Sequence, residues 1–185
     1  MSDHADLVQR WVVVTTIHPP NDALDVILEH AGDDWAVVVV GDNKTPDDWE
    51  QAPVHYLSMA RQRELFGEFA ARAPANHYCR KNFGYLYAIM HGARCIFETD
   101  DDTYPYADFW GRISPRVTGR RAGGATWLNV YAHFSEDLIW PRGLPLDAIH
   151  DAGRVHDEAA TSECAIQQYL VDSDPDVDAI YRLLF

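Results

Sequence analysis

Two stretches of this chain carry apolar residues at nearly every position rather than at alternate ones: Trp11-Val12-Val13-Val14-Thr15-Thr16 and Trp35-Ala36-Val37-Val38-Val39-Val40. A strand with one wet face alternates apolar and polar side chains, so a continuous run predicts a strand covered on both faces. Between the two, Pro19-Pro20-Asn21-Asp22 breaks the first strand and opens a helix with Leu24, Ile27 and Leu28 on one face, ended by Ala31-Gly32. A shorter strand, Val54-His55-Tyr56-Leu57, follows. Leu65, Phe66 and Phe69 then mark a helix across roughly 58–72, which Pro74 stops. Arg80-Lys81-Asn82 leads into a further helix ending near Gly92, and Cys95-Ile96-Phe97 is the last apolar run of the series. The order strand, helix, strand, strand, helix, helix, strand predicts an α/β fold, a mostly parallel sheet with helices on both faces. Ligands in such sheets bind beyond the carboxyl ends of the strands.

The last of these strands runs into Glu98-Thr99-Asp100-Asp101-Asp102-Thr103-Tyr104-Pro105. Neighbouring carboxylates repel by roughly 3 kcal/mol per pair at an effective dielectric near 20. A bound divalent cation or a raised pKa offsets that repulsion, and a solvated acidic turn dilutes it. Asp100 and Asp102 form an Asp-x-Asp pair, a spacing that suits Mg²⁺ or Mn²⁺ bridging to a diphosphate. Tyr104 stands where an aspartyl-phosphate phosphatase would carry Thr or Val, which counts against that chemistry. Thr15, Thr16, Asp42 and Lys44 lie at the carboxyl ends of the other strands, so one crevice would collect them with Asp100, Asp101 and Asp102. Asp42 suits a base or ribose, or an Asx turn. Arg80, Lys81 and Asn82, at a helix start, suit a phosphate or nucleoside, or an exposed first turn; Lys44 has the same two readings.

The second half is less regular. Ala125-Thr126-Trp127-Leu128-Asn129-Val130-Tyr131 reads as a strand, Trp140–Pro145 as a Pro/Gly-rich loop and 151–162 as a polar, mobile connection. Cys164–Leu170 fits strand or helix. Ser173-Asp174-Pro175-Asp176 is a helix start, with Val177, Ile180, Tyr181 and Leu184 as its apolar face. Asp176 and Asp178 fall in that helix's first turn, where acids favour the macrodipole; a catalytic role is the alternative. The nine histidines have no ligand spacing.

The net charge of −14 argues against a nucleic-acid partner and an anionic membrane surface. No apolar run reaches the length of a membrane span, and the polar start Met1–Asp6 lacks a secretory signal. Three cysteines, Cys79, Cys95 and Cys164, are an odd number without metal spacing. The expectation is a reduced, cytoplasmic protein. At 185 residues the chain reads as one domain, 1–185, with a nucleotide-binding half (10–105) and a second half (106–185).

Four motifs occur in order: Val14-Thr15-Thr16-Ile17, Gly41–Pro46, Arg80–Ile89 and Thr99-Asp100-Asp101-Asp102. In that series the chain resembles the STELLO-like glycosyltransferases and, more distantly, the reversibly glycosylated polypeptides, which are UDP-arabinopyranose mutases. Asn129-Val130-Tyr131, Trp140-Pro141-Arg142-Gly143 and Asp174–Arg182 are similar to the STELLO-like group in particular. The resemblance implies a GT-A (Rossmann-like) fold and a metal-dependent glycosyltransferase with a nucleotide-sugar donor, UDP being the expected carrier. The alternatives are a UDP-sugar mutase or a non-catalytic nucleotide-sugar-binding partner subunit. Carried over by position, Thr15, Thr16 and Asp42 would line the nucleoside, and Arg80 and Asn82 would reach the nucleotide or diphosphate. Asp100 would contact the ribose or a metal-bound water, and Asp102 would ligate Mn²⁺ or Mg²⁺. The acceptor would be a glycan, a protein or a small molecule. Family members continue past the motif ending at Arg182, so the resemblance implies either a compact soluble relative or a fragment whose acceptor-side half, 106–185, is truncated.

Overall fold

The computed structural model describes residues 9–123 and 126–184. They fall into two compact units, one up to Arg112 and one from Ile113. The first unit contains β1 (Arg10–Thr16), α1 (Asp22–Ala31), β2 (Ala36–Gly41), β3 (His55–Leu57), α2 (Met59–Arg72), α3 (Lys81–Met90) and β4 (Cys95–Asp100). These are the seven elements the sequence predicts, in the predicted order. The four strands form one parallel sheet in the order β3-β2-β1-β4. The chain therefore steps outward from β1 to β3, then returns to the other side of β1 for β4. The direction reverses between β1 and β4, and that gap is the topological switch point of an open α/β sheet.

The continuous apolar runs are explained by two covered faces. Trp11, Val13, Val38, Val40 and Leu57 form one cluster with Ala70 of α2 and Phe83 and Ala88 of α3. The alternate positions Val12, Val14, Val37 and Val39 point the other way and are buried as fully. Phe97, in register with Val12, extends that second face, and its ring lies 4.7 Å from Phe109 and 5.6 Å from Trp110. Right-handed crossovers place α1 on this face, where it buries Ala23, Leu24, Ile27 and Ala31. The result is an α/β sheet flanked by helices, in keeping with a Rossmann-like GT-A fold. Gly84 lets α3 approach closely: a Cβ there would sit 2.4 Å from Cγ1 of Val13 and 3.0 Å from Cγ2 of Val40.

The second unit contains β5 (Arg116–Gly123), β6 (Arg154–Glu163) and α4 (Ala179–Leu184). β5 and β6 pair as an antiparallel ribbon with a register shift between Arg120 and Ala122. Here the sequence reading needs correction. The polar connection at 151–162 is largely β6, ordered by ladder hydrogen bonds rather than by an apolar face. The strand expected over Ala125–Tyr131 is absent from Thr126 onward; a 3₁₀ turn at Val130–His133 stands there instead, and Ala125 lies outside the described residues. Cys164–Leu170 is neither strand nor helix. The last helix starts at Ala179, not at Pro175, because Val177 forms an isolated bridge with Pro141 and Asp178 N–H donates to the Trp140 carbonyl at 2.9 Å.

Candidate functional site

Register brings the candidate residues of the switch point together. Thr15 is the β1 partner of Asp100 on β4. One residue further, the Thr16 hydroxyl donates to Oδ2 of Asp101 at 2.5 Å. Nδ2 of Asn21 donates to the Asp101 carbonyl at 2.7 Å, while its Oδ1 accepts from Leu24 N–H and caps α1. One amide side chain thus ties the start of α1 to the acidic turn. The second strand is tied in through Thr45, whose hydroxyl donates to the Thr16 carbonyl at 2.7 Å and accepts from Asp42 N–H at 2.8 Å.

Beneath Asp100 lies Lys81, the first residue of α3, only 8% exposed. Its Nζ donates to Oδ1 of Asp100 at 2.6 Å, to Oε1 of Glu98 at 2.7 Å and to the Thr99 carbonyl at 3.3 Å. An ammonium has three donors, and all are used. Burial alone would lower the Lys81 pKa; the hydrogen bonds and charges of Asp100 and Glu98 outweigh it and hold the group above the usual lysine value. Tyr85, one turn along α3, is pushed far above the usual phenol value by burial first, then by the charge of Glu98, its hydrogen bond to Glu98 and the charge of Asp100.

Among the described residues no group of three or more His, Cys, Asp or Glu converges on a metal position. Lys81 occupies one oxygen of Asp100 and Thr16 one oxygen of Asp101; Asp102 is exposed. What remains is a small set of hard oxygen donors, Oδ2 of Asp100 and the Asp102 carboxylate. That set does not make an all-protein cage. It fits a cation of the Mg²⁺ or Mn²⁺ type, which takes one or two carboxylates and completes its shell with phosphate oxygens and water.

The other candidates have varied surroundings. Asp42 accepts from Asn43 N–H at 2.7 Å and from His77 N–H at 3.2 Å, so its carboxylate steadies the loop before α3. Lys44 is exposed. Arg80 is 4% exposed: Nη1 donates to Oε1 of Gln62 at 2.7 Å and Nη2 to the Ala73 carbonyl at 3.0 Å, and the guanidinium lies over the Phe83 ring. Gln62 in turn donates to the Gly41 and Leu57 carbonyls, both at 2.8 Å. Arg80 is thus built into the ends of β2 and β3. Asn82 is exposed and donates to the Cys79 carbonyl at 2.9 Å. Asp176 and Asp178 belong to the second unit. Oδ1 of Asp176 pairs with Arg142 at 2.7 Å, and Oδ1 of Asp178 accepts from Ile180 N–H at 2.9 Å, capping α4.

No family model matches the chain. Over 190 aligned positions, 94% of its length, it is 31% identical to the probable glycosyltransferase STELLO2 of Arabidopsis thaliana and 30% identical to the probable glycosyltransferase STELLO1 of the same plant. The chain is STELLO-like. It spans about a quarter of those relatives, 24% of each. No helix among the described residues is long and apolar enough to cross a membrane.

The STELLO-like motifs of the second unit meet around Asn129, which is 1% exposed. Its Nδ2 donates to the carbonyls of Ile139 at 2.8 Å and Ile149 at 2.7 Å, and its Oδ1 accepts from Tyr131 N–H at 3.1 Å. The Tyr131 hydroxyl accepts from Asp176 N–H at 2.9 Å. An open groove of about 670 Å³ lies alongside, with Tyr131, Phe134, Leu138 and Tyr181 among its walls. At the start of α3 the sequence offers Arg80, Lys81 and Asn82 together as candidates for a phosphate, and of the three it is Lys81 that reaches Glu98 and Asp100 on β4. Successive helix residues point about 100° apart, so spacing alone does not say which of the three faces β4. Asn21 carried a usable signal, a capping residue directly after the first strand, but its second bond depends on where Asp101 folds.

Proposed function

We propose that the chain is the nucleotide-sugar-binding module of a metal-dependent glycosyltransferase with a UDP-sugar donor. The observation that carries this reading is the acidic turn of Asp100, Asp101 and Asp102 at the β1/β4 switch point, tied down by Thr16 and Asn21. The similarity to two proteins named probable glycosyltransferases supports it. Thr15, Thr16 and Asp42 stand at the ends of β1 and β2, where a nucleoside would lie, with exposed Lys44 and Asn82 available to its phosphates. Oδ2 of Asp100 and the Asp102 carboxylate would hold Mn²⁺ or Mg²⁺. When bound, such a cation neutralises charge on a diphosphate leaving the anomeric carbon. The chain's own part is preorganisation. Thr16 and Asn21 fix the turn, and Lys81 fixes Asp100 in one orientation. Little reorganisation is then required when the donor arrives. Arg80 serves this site at one remove, by anchoring the strand ends around it.

A second reading, nucleotide-sugar binding without turnover, is favoured by the state of Asp176 and Asp178. Both carboxylates are engaged within the second unit, in an ion pair and a helix cap, so neither stands ready as a base. Titration calorimetry with UDP and GDP, with and without Mn²⁺, tests the common part of the two readings. The expected result is UDP binding that requires the cation, lost in Asp102→Ala. No nucleotide binding at millimolar concentration contradicts both. Release of UDP from a UDP-sugar then separates transfer from binding alone.

A further inference from the structure

Lys81 has a role that the donor-site reading, on which this inference rests, does not assign. The ammonium is almost wholly buried and bonded on all three hydrogens, to Asp100, Glu98 and the Thr99 carbonyl. It has no donor left to offer a phosphate. Its influence on the turn therefore passes through Asp100, which it orients, and through its charge, which it cannot move away. A fixed positive charge bonded to one oxygen of Asp100 opposes a second cation at the other oxygen of the same carboxylate. The same charge attracts a diphosphate. Partial burial makes both effects larger than they would be in open solvent.

We infer that Lys81 makes occupancy of the acidic turn by a divalent cation contingent on the diphosphate, as a positioning residue that weakens binding of the free cation and favours the anion. The consequence is that the cation binds poorly alone and well once the diphosphate supplies its negative charge and oxygens; by linkage the diphosphate gains by the same factor when the cation is present. Without a buried cation, four clustered acids, Glu98, Asp100, Asp101 and Asp102, would attract free metal and repel a diphosphate.

Lys81→Met keeps the length of the apolar stem and removes the charge. Glu98 and Asp100 are about half exposed, with side-chain exposures of 50% and 56%, so water takes over their solvation and the variant folds. The experiment measures Mn²⁺ binding by electron paramagnetic resonance, and UDP binding by calorimetry, each ligand alone and then together. In Lys81→Met the expected changes are Mn²⁺ alone tighter by about tenfold or more and metal-free UDP weaker by several-fold. Glu98→Gln gives the mirror image: it relieves Lys81 of one counter-charge, so free Mn²⁺ binds more weakly and metal-free UDP more tightly. A merely structural role predicts instead that both variants lose both ligands. Unchanged or weaker Mn²⁺ binding in Lys81→Met overturns the inference; should that variant not fold, Glu98→Gln losing both ligands overturns it equally. Failure of the donor-site reading itself shows in the unaltered protein, as no UDP binding with Mn²⁺ present.

Discussion

β1 and β6 are both strands, yet they are held by different forces. In β1 the residues Trp11, Val12, Val13 and Val14 are buried, and the parallel sheet is sealed on two faces. In β6 no residue is buried, and its partner β5 is exposed along almost its whole length. The first is fixed by the removal of apolar surface from water; the second is fixed by its ladder of backbone hydrogen bonds. A two-stranded ribbon of that kind is marginal alone. The second unit compensates with buried polar joints, chiefly Asn129, which holds three backbone segments at once. The first unit therefore depends on volume and the second on hydrogen-bond satisfaction, and substitutions separate the two.

The largest effect is expected from Phe83→Ala. Phe83 is fully buried in the main cluster, between the rings of Phe66 and Phe69. Its removal costs about 3–5 kcal/mol, read as a fall in the urea midpoint. Asn129→Ala comes next, at about 2–4 kcal/mol, because two buried carbonyls lose their donor while little apolar surface is lost. Hydrogen exchange is the suitable probe. Amides of β6 and of Tyr131 should exchange faster while those of Val13 and Val38 keep their protection; equal loss in both units would break the comparison.

The smallest effect is one of pH and concerns the first unit. His55 packs against Trp11, Tyr87 and His91, with ring centroids 5.2, 5.6 and 6.4 Å away. Burial, then the charge of His91, holds its pKa below the usual 6.5. The unfolded chain then binds a proton that the folded chain refuses. Stability contributed by neutral His55 is complete above about pH 6.5 and declines as pH falls toward the lowered value. Denaturation midpoints at a series of pH values check this, and His55→Gln should flatten the slope.

The same contrast explains what was legible in the sequence. Val12–Val14 and Val37–Val40 announce a sheet covered on both sides because nothing else suits such runs. Arg116–Gly123 and Arg154–Glu163 carry no comparable pattern; their pairing is a property of two backbones, which side-chain composition does not report. At the candidate site, three consecutive aspartates at a strand end were visible at once. Which partners Lys81, Glu98, Tyr85 and Asn21 meet was not, because that depends on strand register and helix rotation. Arg80 shows the converse: a cation at a helix start suggests a phosphate, but burial against Gln62 and Phe83 gives it a different task.

The central claim is that the carboxyl ends of β1 and β4 form the donor site. Mn²⁺ tests it directly, because paramagnetic broadening of amide resonances falls steeply with distance. From Trp11 to Thr16 a strand extends about 16 Å, so the two ends of the sheet are well resolved. With Mn²⁺ and UDP together, the account predicts that the amides of Thr15, Thr16 and Asp100 to Thr103 disappear while those of Trp11 and Cys95, at the opposite ends of the same strands, remain. Broadening centred on Trp11 and Cys95, or spread evenly over the sheet, would contradict it.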